Sequence, residues 1–447
     1  MGGLMGSGGP RASRRLALLG GARGQTAALA LAAVACAPFR PEGQPERRSG
    51  APARIVLGVR STPLQVDLIQ RYVDGYRAVA PGVTAETVSL PSDLQAMRAA
   101  LIAAVAAGTA PDLFNSDGPW LPEFATMGLL DKMPREAQRD LQANFTEGAQ
   151  RYGTYRGAAY VYPFETLTHA LYYNKQLFSQ VGLDPARPPR TFADFREAAR
   201  RLAKRDGGGQ LVQPGFVGNN RLLYVGNFVY NAGGRILSED DYGDLRKPYT
   251  LALGEAPAQA ALQLHHDVYT TDRAADVAVA PGFQTGSVGM VVTLPSLLPV
   301  IAREAPALEF GVAPLPTQLP GAATHQMAGW SWGGSPSSKA KDAAWAFLIW
   351  MNSRENVLTQ VAVLGSLSAH KAVLADPAVT ASDPQRLPVF YQALKAATHV
   401  RPKAVTWSEI EAVAEPDVRA MFAGGLTPRS LVDKIAGPVA TLLTKEP

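Results

Sequence analysis

Residues 54–59 read RIVLGV, residues 83–90 read VTAETVSL and residues 111–115 read PDLFN, and each run has the composition of a short β-strand. Between these runs, apolar side chains recur at helical spacing in Leu64–Val79 and again from Leu94 to Val105. Strands that alternate with helices at this spacing predict a parallel sheet covered by helices, which is an α/β fold.

Ligands of such sheets bind beyond the carboxyl ends of the strands. This rule directs attention to the residues that follow the three predicted strands, at 60–62, 89–92 and 116–120. Three side chains in these segments are candidates for ligand contact, namely Ser61, Asp117 and Trp120.

The later part of the chain continues the same pattern. Thr191 and Asp194 fit a capping box, so a helix is predicted from Thr191 to Lys204. The apolar run Lys341–Met351 predicts a helix whose Trp345 belongs to the core. Strands are predicted at Gly157–Tyr162, Ala170–Asn174 and Phe283–Leu294.

The length of 447 residues predicts two lobes or domains. Residues 1–35 contain four arginines and no acidic residue, and the remainder holds 39 basic against 38 acidic side chains. Such a balanced body carries no electrostatic footprint for nucleic acid. A single cysteine excludes an internal disulfide and a four-cysteine zinc site, and no histidine spacing indicates a metal.

The beginning of the chain resembles a lipoprotein signal peptide, which we assign to residues 1–35. Thr26–Ala35 (TAALALAAVA) is a short apolar run after an arginine-bearing start, and it ends at Cys36. In a lipoprotein this cysteine carries the lipid; ordinary cleavage with an unmodified Cys36 is the alternative. Residues 36–53 are rich in Pro, Gly and Arg and predict a flexible tether.

Several segments, in order along the chain, together resemble the carbohydrate-type, maltose-binding-like family of extracellular solute-binding proteins of ABC importers. The similarity runs from about residue 54 to the C-terminus. The segments that carry it are Ala110–Leu113 with Trp120, Met127–Leu130, Tyr162–Phe164, Leu171–Phe178, Arg190–Phe195, Asn231–Gly234, Phe310–Pro316, Ala328–Trp330, Ala343–Phe347 and Val400–Pro402.

The resemblance implies a periplasmic-binding-protein fold of type II, with two α/β lobes, each a mostly parallel sheet flanked by helices, that close on a ligand by hinge motion. We place the crossings between lobes near Thr166, Gln284 and Gly329. The N-terminal lobe would comprise residues 54–165 and 286–328, and the C-terminal lobe residues 166–285 and 329–447.

The resemblance also implies a function. The protein would be a monomer without cofactor or metal, anchored through Cys36 outside the cytoplasm, that delivers a sugar or oligosaccharide to a membrane permease. A sugar site needs aromatic faces and fixed polar groups. Besides Ser61, Asp117 and Trp120, the candidates are Thr168, Asn220, Tyr224, Thr293, Trp330 and Arg401.

Two alternatives remain open from the sequence. Arg401 matches a position where related receptors bind either a sugar or a phosphate, so glycerol-3-phosphate or a glycerophosphodiester is a second ligand class. Residues 329–333 (GWSWG) match the nucleophile elbow of serine hydrolases, and Asp376 and His399 follow Ser331 in the required order.

Overall fold

The structure is a computed structural model that describes residues 52–238, 249–275, 282–319 and 325–446. Cys36 and the predicted signal peptide lie outside the described residues, as does nearly all of the predicted tether. Among the described residues, no helix combines the length and apolar character needed to cross a bilayer.

The first sheet contains the three strands predicted at the start of the chain. β1 (Ala53–Arg60) pairs in parallel with β2 (Val83–Leu90) and with β3 (Leu113–Asp117). These pairings confirm the predicted parallel sheet, and the intervening helices are α1 (Pro63–Val79) and α2 (Leu94–Ala106).

Shorter elements connect this unit to the next strand of the same sheet. They are α3 (Leu121–Thr126), α4 (Arg135–Asn144), α5 (Glu147–Tyr152) and the hairpin of β4 (Thr154–Tyr155) and β5 (Ala158–Ala159), followed by β6 (Val161–Leu167).

The second sheet is built around β7 (Ala170–Asn174). The helices α6 (Lys175–Gln180) and α7 (Phe192–Leu202) follow it, and both side chains of the capping box Thr191–Asp194 make their hydrogen bonds, as predicted. The chain continues through β8 (Lys204–Arg205), β9 (Leu211–Gln213), β10 (Phe216–Val217), α8 (Leu222–Asn231), α9 (Ala256–His266), β11 (Met290–Thr293), α10 (Leu297–Glu304) and β12 (Phe310–Ala313).

The strand order of the second sheet is β10-β11-β7-β12. β10 and β11 are parallel, whereas β7 runs antiparallel to both β11 and β12. This sheet is therefore mixed rather than mostly parallel. The strand predicted over Phe283–Leu294 is confined to β11, and its first residues form a 3-10 turn.

The last part of the chain contributes two strands to the first sheet and helices to both apolar clusters. β13 (His325–Gly334) returns to the first sheet, antiparallel to β3 and β6, and β14 (Ala397–Val400) pairs in parallel with β13. The helices of this part are α11 (Lys341–Met351), α12 (Arg354–Leu364), α13 (Lys371–Leu374), α14 (Leu387–Lys395), α15 (Trp407–Phe422) and α16 (Pro428–Leu443).

The strand pairing corrects the predicted division of residues 286–447. β11 and β12 lie in the second sheet with β7, although residues 286–328 were assigned to the N-terminal lobe. Most of β13 pairs with β3 and β6 of the first sheet, although residues 329–447 were assigned to the other lobe. The chain thus changes sheets after β6 and between β12 and β13, and after β14 it passes to the helices α15 and α16, which pack in the second apolar cluster. Gln284 is therefore not a crossing, and Gly329 lies within a strand.

Alternating side chains of β7 connect the two main apolar clusters. Leu171 and Tyr173 enter the cluster that also contains α15 and α16, whereas Ala170 and Tyr172 enter the cluster of the first lobe. Trp345 of α11 is buried in the first-lobe cluster, as predicted. A period of two along a strand with both faces covered explains this distribution.

Candidate functional site

The pairing of β13 with β3 and β14 brings the predicted ligand residues of the first lobe to one edge of its sheet. β3 ends at Asp117, and because β13 runs antiparallel to β3, Trp330 lies directly opposite Asp117. Val400 pairs with Met327, so the chain leaves β14 at Arg401 beside the same point. Residues far apart in sequence therefore meet where the chain passes between the sheets.

Asp117 and Arg401 form a buried ion pair. A terminal guanidinium nitrogen of Arg401 donates to Oδ1 of Asp117 at 2.7 Å, and both side chains are almost completely covered. Burial raises the pKa of Asp117, and the charge of Arg401 opposes this effect. Burial lowers the pKa of Arg401, but the charges around it, Asp117 first, outweigh burial and raise it. This pair is the polar centre of the site.

An aromatic group lies next to the ion pair. The indole of Trp330 meets that of Trp120 edge to face, with centroids 6.5 Å apart. The guanidinium carbon of Arg60, at the end of β1, lies 4.4 Å from the Trp330 ring centroid. Trp330 is only 9% exposed. A sugar could stack on the face that Arg60 occupies only if Arg60 moved.

Two glycines permit the close packing behind this group. Gly329 has φ +145°, and a Cβ there would lie 1.8 Å from the carbonyl oxygen of Glu165. A Cβ on Gly118 would lie 2.0 Å from the hydroxyl of Tyr152. The Tyr152 hydroxyl donates to the carbonyl oxygen of Gly329 and so ties α5 to β13.

Further polar residues line the first crossing between the sheets. The Gln65 amide donates to the Glu165 carboxylate and accepts from the Thr62 hydroxyl at 3.2 Å. Burial raises the pKa of Glu165, with Gln65 opposing it. Thr168 is buried and directly follows β6, the strand that contains Glu165.

The second lobe contributes His169 and Tyr224. Their rings meet edge to face with centroids 5.0 Å apart. Burial, followed by the positive charge of Arg401, lowers the pKa of His169 to about 4, although a hydrogen bond with the Asn227 side chain opposes this. His169 is thus a neutral imidazole at pH 7, beside the ion pair.

Helix α15 brings a further carboxylate to the same place. Glu411 interacts electrostatically with Arg401, Asp117 and Arg221, and burial raises its pKa. Arg221 itself donates to Glu415 at 2.9 Å. Both lobes therefore supply charged groups to one site.

The structure gathers most of the predicted ligand residues and leaves others apart. Asp117, Trp120, Trp330 and Arg401 form one contact group, and Tyr224 joins it through His169. Ser61 is exposed and follows Arg60. In the described part of the chain, no hydrogen bond or ring contact links the side chains of Asn220 and Thr293 to this group.

The nucleophile-elbow interpretation of Ser331 is wrong. Ser331 lies inside the extended strand β13, is 1% exposed and shares a 3.0 Å hydroxyl contact with Ser116. Asp376 is bound by Arg354, and the ring of His399 stacks on Tyr230. The strand-turn-helix geometry of an elbow is absent here, because β13 continues to Gly334.

Several residues of the site were missed by sequence reasoning. Tyr152, His169 and Glu411 bear no motif, and only the tertiary packing places them here, whereas Arg60 lies in the segment 60–62 that the strand-end rule indicates. A usable signal existed for Glu411, which is one helical turn after the buried Trp407 and therefore points to the same side of α15. Within the described residues, no cluster of three or more His, Cys, Asp or Glu is placed to hold a metal.

Comparisons with known proteins agree with this architecture. A curated relative, the maltotriose-binding protein of Pyrococcus abyssi (strain GE5 / Orsay), is 25% identical over 346 residues, which is 73% of this chain and 68% of the relative. The crystal structure of the cyclic alpha-maltosyl-1,6-maltose binding protein from Arthrobacter globiformis shares the fold. It has a TM-score of 0.74 at 23% identity and covers 88% of this chain and 99% of that one.

A shorter match concerns a different ligand class. The sn-glycerol-3-phosphate-binding periplasmic protein UgpB of Escherichia coli (strain K12) is 48% identical, but over only 40 residues, or 9% of each chain. The family model described as bacterial extracellular solute-binding protein matches residues 62–357, which is more than half of the chain. With two lobes between which the chain passes three times, and a polar and aromatic group at those passages, the chain belongs to the family of bacterial extracellular solute-binding proteins.

Proposed function

We propose that this protein binds a sugar or oligosaccharide at the Asp117–Arg401 group and delivers it to the membrane permease of an ABC importer. A pyranose presents hydroxyl groups at its edge and CH groups on its faces, so its receptor needs both charged hydrogen-bonding groups and aromatic surface. The site offers both kinds within one contact group.

The observation that carries the proposal is the buried ion pair between Asp117 and Arg401, flanked by Trp120, Trp330 and Tyr224. Charged hydrogen-bonding groups form stronger bonds with hydroxyls than neutral groups do. The names of the maltotriose-binding relative and of the maltosyl-maltose binding neighbour support the same ligand class.

A phosphate ligand fits this arrangement less well. The guanidinium of Arg401 already faces the carboxylate of Asp117, and Glu411 adds a second carboxyl group nearby. A phosphate would have to displace Asp117 and would be repelled by both carboxylates. The match to UgpB covers too little of the chain to outweigh this charge arrangement.

A thermal-shift screen tests the ligand class. The purified protein is heated with maltotriose, cellotriose, mannotriose or sn-glycerol 3-phosphate. A ligand at a hundred times its dissociation constant stabilises the fold by about 2.7 kcal/mol, which raises Tm measurably. We expect at least one saccharide to raise Tm and the phosphate to leave it unchanged. A shift with the phosphate alone would favour the second ligand class.

The location outside the cytoplasm follows from the family, and we extend it to a lipid anchor at Cys36. The apolar run before this cysteine supports the anchor, and two or more acyl chains hold a protein stably at a bilayer. Cys36→Ser should move the protein from the membrane fraction to the soluble fraction in fractionated cells and leave its ligand affinity unchanged. A variant that still sediments with membranes would contradict the anchor.

A further inference from the structure

Glu411 has an unusual environment for a carboxylate. It lies on α15, which belongs to the second lobe, and its Oε1 atom is buried with no hydrogen-bond partner among the described residues. A buried polar atom without a partner destabilises the fold, and more so when the group is charged. Such an atom at a binding site is explained if a ligand supplies the missing partner.

The cations near Glu411 are committed to other carboxylates. Arg401 donates to Asp117 at 2.7 Å, and Arg221 donates to Glu415 at 2.9 Å. Each of these guanidinium groups therefore donates to another carboxylate. Among the described residues, none of them donates a hydrogen bond to Oε1 of Glu411.

We propose that Glu411 is a specificity-determining residue of the cleft, which accepts a hydrogen bond from a ligand hydroxyl and makes the site discriminate against anionic ligands. This inference rests on the proposed function. Because Asp117 comes from the first lobe and Glu411 from the second, a saccharide bound by both carboxylates would connect the two lobes.

Binding through Glu411 has a pH dependence of defined sign. Burial raises the pKa of Glu411, so this side chain takes up a proton at a higher pH than an exposed glutamate does. A ligand hydroxyl favours the carboxylate instead, so binding releases protons and affinity rises with pH. The charged or titratable groups on the elements around α15 are Asp117, Arg401, Arg221, His265 on α9 and Lys434 on α16, and those on α15 itself include Glu409, Glu415, Asp417 and Arg419.

The test uses the full chain and three variants. The probe is whichever of maltotriose, cellotriose and mannotriose binds the wild type most tightly, and calorimetric titrations are run from pH 5.0 to pH 7.5 in buffers of different ionisation enthalpy. Glu411→Gln keeps the shape of the side chain and removes the charge. Glu411→Asp keeps the carboxylate but shortens the side chain by one methylene group, which moves the charge away from the ligand. Glu409→Gln, an exposed position on the same helix, is the matched control.

At pH 7.5 we expect Glu411→Gln to bind the probe at least about tenfold more weakly than the wild type, because a hydrogen bond to a charged group is lost. The wild type should release protons on binding and Glu411→Gln should release fewer, whereas Glu409→Gln should match the wild type. Glu411→Asp should retain the proton release at reduced affinity.

Two results would overturn the inference while leaving the proposed function intact. One is equal saccharide affinity of wild type and Glu411→Gln at every pH. The other is saccharide binding by the wild type without proton release, which needs no variant to fold. If no saccharide binds and sn-glycerol 3-phosphate does, the proposed function and this inference fail together.

Discussion

At the scale of single residues, Trp330 has a structural role beside the binding role that we propose for it. Its indole packs edge to face on Trp120 and carries Arg60 on its face, so it belongs to the first-lobe core as much as to the cleft. We expect Trp330→Ala to weaken saccharide binding by about 2–4 kcal/mol, as removal of a central aromatic contact does. It should also lower Tm, because it leaves a cavity.

Trp345→Ala is the control for this variant, since Trp345 lies in the α11 core away from the ion pair. It should lower Tm through its own cavity, while the protein that remains folded binds normally. Titration calorimetry and thermal denaturation of both variants separate the two effects. An unchanged affinity in Trp330→Ala would remove this residue from the binding site.

At the scale of elements, β13 depends on the glycine at position 329. The strand changes register between Gly329 and Ser331, and Gly329 adopts φ +145° against the carbonyl of Glu165. We expect Gly329→Ala to lower the free energy of unfolding by about 2 kcal/mol or more, because other residues are strained in this region of φ. Chemical denaturation measures the change.

Gly437→Ala provides the comparison. Gly437 lies within α16 and has open space where its Cβ would be, so alanine should be neutral or should stabilise by up to about 1 kcal/mol. If Gly329→Ala proved as stable as Gly437→Ala, the close approach of β13 to Glu165 would not constrain the crossing.

The sequence predicted individual helices and strands better than it predicted which strands pair with one another. The capping box at Thr191 and the strand ending near Asp117 follow from neighbouring residues alone, and the structure contains both. Which sheet receives β11, β12 or β13 depends on contacts between distant segments, and short apolar strands look alike in composition. The sequence likewise identified Asp117, Trp330 and Arg401 as candidates. For Glu411 it offers only the helical spacing from Trp407, which does not tell which distant segments α15 packs against.

At the scale of the whole molecule, buried histidines predict a loss of stability in acid. Burial is the main cause that lowers the pKa of His265 to about 3 and the pKa values of His169 and His399 to about 4. The unfolded chain has ordinary histidines with a pKa near 6.5, so it binds protons that the folded chain does not. The stability that these histidines contribute should be complete above about pH 6.5 and fall progressively down to about pH 3, the folded-state pKa of His265.

His265→Phe tests this expectation, since His265 packs among Phe216, Phe228 and Phe422 and an aromatic ring of similar size fits the same cluster. Calorimetric Tm values between pH 7.5 and pH 4.5 should fall less steeply for the variant than for the wild type. Parallel pH profiles would show that this histidine does not contribute to acid sensitivity.

The central claim is that a saccharide binds between the two lobes at the ion pair of Asp117 and Arg401. Calorimetric titration of the wild type and of Arg401→Met, with the saccharide that gives the largest thermal shift, tests it most directly. Arg54→Met is the control, because Arg54 forms an exposed ion pair with Glu86 that contributes little to stability. We predict one-to-one binding by the wild type and by Arg54→Met, and affinity at least about tenfold lower for folded Arg401→Met, because a charged hydrogen bond to the ligand is lost. Unchanged affinity in Arg401→Met, or no saccharide binding by the wild type, would contradict it.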